Sequence, residues 1–529
     1  MYTNLLHGNR ESPGVTDCNP QPVRSGKASG HNPDAHALGQ SDGGIVAMRQ
    51  TNKCAQPHNN GHPQAESVER RPSNKGNPGQ TTGRSTQGLP TTSLGLDRVR
   101  EAAKRDATLR FTNLMHHITT DLLREAYLKL NPKAAAGVDS VTWSEYGKGL
   151  DERLKTLHEQ VQNGQYRARP SKRVYIPKPD GRKRPIGIAA LEDKVVQQAL
   201  VWVLSAIYEV DFKGFSYGFR PGRSPHNALD AIYVAITQHK VNWVLDADIR
   251  SFFDTLDHEW LMKFVEYRIG DPRISRLIRK FLRAGVSEDG EWSKTVVGTP
   301  QGAVISPILA NIYLHYVLDL WVDWWRCHRA QGEVYIVRYA DDFVMGFQYR
   351  ADAEQLWKEL SERLSKFSLE LHEDKTRLIE FGRFAATDRK GRGQGKPETF
   401  DFLGFTHICS KRRKDGKFTL RRKTIAKRVR AKLKAVRECL MRNLHWPVME
   451  TGKWLRAVFQ GHLNYYGVPG NRKATDAFRT ELAKAWLRAL RRRSQKSRNL
   501  TWDRFRRWFA KWIPTARIVH PYPGQRLRV

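Results

Sequence analysis

Two adjacent aspartates, Asp341 and Asp342, sit between two apolar, β-prone runs in Glu333–Phe347, EVYIVRYADDFVMGF. The layout predicts a hairpin whose tight turn presents both carboxylates at its tip. Like charges side by side in poorly solvated sequence raise each other's pKa, and a bound divalent cation relieves the repulsion. A solvated turn would also carry such a pair if it stood alone. Here it has company. Val241–Asp257, VNWVLDADIRSFFDTLD, reads as a second apolar strand that delivers Asp248 near its end. If that strand lies beside the hairpin, Asp248 and Asp341 share two Mg2+ ions about 4 Å apart with Asp342 close by, the arrangement that phosphoryl transfer uses. Hard, octahedral Mg2+ takes carboxylate oxygens together with substrate phosphates; Mn2+ is the natural substitute. The five cysteines (Cys18, Cys54, Cys327, Cys409, Cys439) have no paired spacing, which argues against a Cys-rich zinc site or a disulfide framework.

Charge narrows the substrate. Ninety Lys and Arg against 54 Asp and Glu leave +36 over 529 residues. Residues 421–529 hold 29 basic and 5 acidic side chains, a charge of +24. Such a segment repels itself unless a polyanion neutralises it, and release of that polyanion's counterions drives binding. Nucleic acid is the expected partner. The chain has no run of about 18 apolar residues to span a membrane, and its first ten residues lack the basic-then-apolar layout of a secretory signal. A soluble protein of a reducing compartment, the cytoplasm, is expected, with no membrane partner.

Residues 1–90 carry 12 Gly and 9 Pro with almost no apolar periodicity, which predicts a disordered extension. Helical spacing runs from Asp97 to Leu130, where Pro132 stops it. Val174–Ile188 reads as a hairpin around Pro179-Asp180-Gly181, and Leu191–Val210 as a buried helix. Strands and helices mix without strict alternation, so an α+β fold is expected. After Leu420 helices alone are predicted. One carries the stripe Ile425, Val429, Leu433, Val436, Leu440, Leu444; a second Phe478, Leu482, Trp486, Leu490; a third Trp502, Phe505, Phe509, Trp512. These stripes are packing faces, and the basic residues opposite them are the functional content.

The ordered set of motifs resembles the reverse transcriptases encoded by group II introns, the intron maturases. Tyr339-Ala340-Asp341-Asp342 is similar to that family's YADD, and Asp248-Ile249-Arg250-Ser251-Phe252-Phe253-Asp254 to its first catalytic strand. FSYGFRPGRSPHNAL (Phe215–Leu229), Thr299-Pro300-Gln301-Gly302 with Ser306-Pro307, Glu370–Arg377, Phe402-Leu403-Gly404-Phe405 and GHLNYYG (Gly461–Gly467) match further blocks in the family's order. The resemblance implies a right-hand polymerase, with fingers, a palm built on an antiparallel sheet and a helical thumb, followed by a basic helical maturase domain. Its divisions would be an extension over 1–90, fingers and palm over 91–410, and thumb with maturase domain over 411–529. It implies catalytic, metal-site roles for Asp248, Asp341 and Asp342, the first two holding the ions and Asp342 supporting the primer end. Phe253 would lie under the sugar of the incoming nucleotide, excluding a 2′-hydroxyl. Gln301 and Gly302 would contact nucleotide and template backbone. Lys178 and Arg184 would grip the triphosphate, with Lys172, Arg173, Arg182 and Lys183 as equally basic alternatives. RNA contacts are expected at Arg428, Lys432, Arg491, Arg492 and Tyr465. Implied partners are the group II intron RNA, an RNA template with its DNA primer, dNTPs and target DNA.

One departure stands out. Many relatives add a His/Asn-type DNA endonuclease, often with paired cysteines, whereas beyond Leu420 this chain has Cys439 alone and widely spaced His445, His462 and His520. No such nuclease is expected. Two other readings of the same residues are an RNA-binding splicing factor on an inactive polymerase scaffold, and a bacterial reverse transcriptase of a retron, defence or diversity-generating system.

Overall fold

The computed structural model describes residues 95–177, 183–288, 291–293, 298–299 and 302–526. The extension over 1–90, the Pro179-Asp180-Gly181 turn with Lys178, and Gln301 lie outside the described residues.

The described strands are β1 (Ser171–Pro177), β2 (Lys183–Ile188), β3 (Trp243–Asp248), β4 (Val286–Glu288), β5 (Glu291–Ser293), β6 (Val334–Tyr339), β7 (Asp342–Phe347), β8 (Arg377–Glu380), β9 (Phe400–Phe402), β10 (Phe405–Lys411) and β11 (Phe418–Thr424). The central sheet runs β6-β7-β3-β8, antiparallel throughout. Its strands alternate between two cores, as a period of two requires. On one face Leu245, Ala247, Ile336, Phe343 and Met345 join the largest apolar cluster, with the helices Leu191–Asp211 and Ser306–Leu314. On the other, Val244, Tyr335, Val337 and Val344 pack under the helix Pro225–Gln238 and the sheet β11-β10-β9. Asp248 and Asp342 fall on this second face, at the end of their strands. A third core binds the helices Ala426–Arg442, Val448–Tyr466, Arg472–Arg493 and Trp502–Trp512. Among the described residues no helix is long and apolar enough to cross a membrane.

The mixed helix and sheet architecture agrees with the sequence, and four local expectations are corrected. The helix expected over Asp97–Leu130 is two, Leu96–Arg105 and Thr120–Lys129. The Asp106 carboxylate accepts from the Thr108 amide at 2.7 Å and hydroxyl at 2.6 Å, a local turn that competes with helix, and Thr119 caps the second helix at Leu122 N. The Val174–Ile188 hairpin forms as β1 and β2 but belongs to a four-stranded sheet, because β4 pairs in parallel with β1 at Ser171 and Lys172. β11 runs four residues past Leu420, so the β10–β11 hairpin straddles the expected boundary at 410/411. Beyond it lie four long helices rather than three. Val448–Tyr466 escapes notice because Thr451, Gly452 and His462 interrupt its apolar stripe; a Cβ on Gly452 would stand 2.6 Å from the Trp512 ring.

Candidate active site

The turn joining β6 to β7 holds Ala340 and Asp341, and Ala340 takes the left-handed conformation at φ 57°. Two features keep it there. Phe215–Gly218 runs beside β6, with Arg338 N donating to Phe215 O at 2.9 Å and Tyr217 N to Arg338 O at 2.8 Å. This brings Gly218 onto the turn, where a Cβ would stand 2.2 Å from Ala340 N. Only glycine lets two backbones approach so closely. Beneath, the fully buried Arg338 guanidinium donates to Ala340 O (3.0 Å), to Asn311 Oδ1 (3.1 Å) and, as a fork, to both Asp319 carboxylate oxygens (2.7 and 2.5 Å). Asp319 comes from a π turn, His315–Asp319, that prolongs Ser306–Leu314. Asn311 in turn donates to Gly218 O at 2.8 Å. Turn, glycine and ion pair form one connected unit.

β3 delivers the third carboxylate. Its register against β7 sets Asp248 directly opposite Asp342. Opposed Cα atoms lie roughly 5 Å apart and neighbours in sequence 3.8 Å, so Asp248 and Asp341 have Cα atoms within about 9 Å. Asp248 is buried, and Asp341 and Asp342 are half-buried. Asp248 O accepts from His372 N at 2.8 Å, continuing the β3 ladder into Glu370–His372. Three residues on, Lys375 turns back and its ammonium pairs with the Asp248 carboxylate. Asp246, on the same strand face, is driven up to a pKa of about 6 by burial, with Arg377 opposing the shift. Among the described residues no three His, Cys, Asp or Glu side chains close a cage around an ion.

The described nucleotide residues lie on the segment after Asp248, on the segment from Gly302 and on β2. Ser251, at φ 47°, starts the short helix Phe252–Thr255. Phe253 packs half-buried against the main core, and its carbonyl accepts from Thr299 N at 2.8 Å. Gly302, at φ 110°, abuts β2, where a Cβ would meet Gly187 O at 2.8 Å and Ile186 Cγ2 at 2.9 Å. Arg184 lies two residues before Ile186 and shares its strand face. Phe253, five residues after Asp248, is thus bonded to Thr299, and Gly302 is set against the strand that carries Arg184.

The expected RNA contacts fare differently. The Tyr465 hydroxyl donates to Leu403 O at 2.9 Å and its ring packs on Phe405 and His226, so it joins Val448–Tyr466 to the sheet β11-β10-β9. Arg491 spends Nε and Nη2 on Leu500 O, at 2.9 and 2.7 Å. Tyr465 is thereby committed to packing between elements, whereas Arg491 stays exposed with its guanidinium on the Leu500 carbonyl. Arg428 and Lys432 are half-buried, Arg428 against Gly404, while Arg492, Lys427, Arg430 and Lys434 are exposed.

Sequence reading missed Gly218, Asn311, Asp319, Arg338 and Lys375. The one available signal was Arg338, a charge in a strand otherwise patterned for full burial, which requires a partner. Gly218→Ala should lower the primer-extension rate by about 10²-fold, since moving a reacting group by about 1 Å costs that much. Single-turnover incorporation checks it, and a rate within twofold of the parent would show that the contact does not position the turn.

The sequence profile of the reverse transcriptases (RNA-dependent DNA polymerases) matches residues 176–407. Protein YkfC of Escherichia coli (strain K12) is 36% identical over 312 residues, covering 52% of this chain and 81% of the relative. Group II intron-encoded protein LtrA of Lactococcus lactis subsp. cremoris is 35% identical over 237 residues, 44% of this chain and 39% of LtrA. Nuclear intron maturase 4, mitochondrial, of Arabidopsis thaliana is 26% identical over 211 residues, 39% of this chain and 25% of that protein.

Proposed function

Since this chain belongs to the reverse transcriptases, in the branch that group II introns encode, we propose that it copies RNA into DNA and also binds its intron RNA to assist splicing and mobility. The register of β3 on β7, which sets Asp248 opposite the Asp341-Asp342 turn, carries the polymerase reading. In a right-hand layout the β1–β2 sheet serves as fingers, the central sheet as palm, and the helices after β11 as thumb and maturase region.

Asp248 and Asp341 would hold two divalent ions, Mg2+ by the hardness of their oxygens, with Mn2+ as substitute. When bound, these lower the pKa of the primer 3′-hydroxyl and offset charge on the leaving pyrophosphate. The chain supplies the rest. Asp342 supports the primer end. Phe253 walls the sugar side of the nucleotide pocket, and Gly302 admits the template backbone. Arg184, with Lys178 and Gln301, holds the triphosphate and base. In the basic helices, exposed Arg492, Lys427, Arg430 and Lys434 face RNA phosphates, with Arg428 and Lys432 beneath them.

Purified protein should extend a DNA primer on an RNA template with dNTPs and Mg2+ or Mn2+, and failure with both ions overturns the reading. In the same assay Phe253→Ala should raise ribonucleotide relative to deoxynucleotide incorporation by roughly tenfold to a hundredfold. Unchanged discrimination would remove Phe253 from the pocket.

A further inference from the structure

The helix Pro272–Arg283, PRISRLIRKFLR, buries Ile274, Leu277, Ile278, Phe281 and Leu282 and turns Arg273, Arg276, Arg279, Lys280 and Arg283 outward. The helix itself holds no acidic residue, and the Asp271 carboxylate that caps it pairs with Arg273 at 3.4 Å. The outward face spans ten residues, about 15 Å, enough for several consecutive phosphates. Against it lies the helix His258–Arg268. Between them is a furrow. One end is a hollow of 490 Å³ lined by Arg110, Glu266, Ile269, Gly270, Arg276 and Arg279, among others. Glu266 and Arg279 also line the adjoining hollow of 300 Å³, with Glu259, Lys263 and Arg283.

Five cations, Arg110, Lys263, Arg276, Arg279 and Arg283, therefore face two carboxylates. One of these, Glu266, is already paired with Arg279 at 2.5 Å. Lys280 donates to Gly164 O and Tyr166 O at 2.7 and 2.6 Å. Burial first, then the cations of Arg276 and Arg167, hold its pKa below the ordinary value. Four residues after Lys263 on the same helix, the Tyr267 ring is 59% exposed, where an unpaired base can stack on it.

We propose that this furrow is a second nucleic-acid site, separate from the basic helices after β11, and that it takes the phosphate backbone of looped, unpaired RNA. The site stands on charge and shape alone and does not rest on the polymerase reading.

Fluorescence anisotropy with a labelled RNA hairpin and a DNA hairpin of matched sequence, titrated over salt with the full chain, tests it. Arg276→Glu with Arg283→Glu should weaken RNA binding and flatten the slope of log K against log salt by about 1.4, two contacts at ~0.7 each. The Arg276→Lys, Arg283→Lys pair should restore most of the slope, which a merely structural role would not require. Extension of a short primer on a short template and the melting temperature should both stay at parental values. An unchanged slope overturns the proposal. Equal weakening for the DNA hairpin overturns the assignment to RNA, and a parallel loss of primer extension overturns the separateness of the site. Because extension is read in its own assay, failure of the furrow is distinguishable from failure of the polymerase.

Discussion

Replacing Asp341 by alanine is expected to cut primer extension on an RNA template by about 10⁴-fold, roughly 5.5 kcal/mol at 1.36 kcal/mol per decade. The side chain stands at the tip of the β6–β7 turn, beside Asp342 and within reach of Asp248 across β3. Removing it takes away a carboxylate on which a divalent ion would depend, and Asp342 occupies a different place, paired in register with Asp248. The fold should tolerate the loss. Asp341 is half-buried and part of a crowded acidic group, so alanine relieves like-charge repulsion and stability should stay within about 0.5 kcal/mol of the parent, as at ordinary surface positions. Single-turnover incorporation together with a thermal melt separates the two effects. Parental extension by a folded Asp341→Ala protein would show that the turn is not the catalytic centre.

Asp319→Ala should produce the largest loss of stability. It leaves the fully buried Arg338 guanidinium without its carboxylate, and breaking a buried pair from one side costs about 3–5 kcal/mol. A domain holds only about 5–15 kcal/mol in total, so a large share of the stability goes with one side chain. The damage should also reach the chemistry, because the same guanidinium fixes the Ala340 carbonyl in the aspartate turn. Asp319→Asn keeps oxygen and shape but not charge, and should fall between alanine and the parent. Denaturant unfolding measures the series. A loss below about 1 kcal/mol for Asp319→Ala would mean that the pair is not what supports the turn.

The carboxylates were legible in the sequence because each sits in a strand with a simple apolar pattern, and strand period and turn position follow from local residues. What holds them was not legible. Gly218 and Ala340 lie 122 residues apart, and nothing local tells a glycine that admits a second backbone from one that makes a turn. Arg338 announced a buried charge without naming Asp319 as its partner, since that pairing depends on a π turn in another helix. Tyr465 stood among the expected RNA contacts, and tertiary packing commits its hydroxyl to Leu403. The parallel pairing of β1 with β4 was hidden for the same reason: the two strands are more than a hundred residues apart and β4 has three residues. The break after Arg105 was written locally, in Asp106 and Thr108, but the helical spacing around it outweighed that signal.

Anomalous X-ray diffraction from crystals of the protein with primer, RNA template, a non-hydrolysable dNTP and Mn2+ tests the central assignment most directly. Manganese peaks within ligand distance of both Asp248 and Asp341, with the Lys375 ammonium drawn off Asp248, are the expected result. Mn2+ bound elsewhere while Lys375 still covers Asp248 in the complete complex would contradict it.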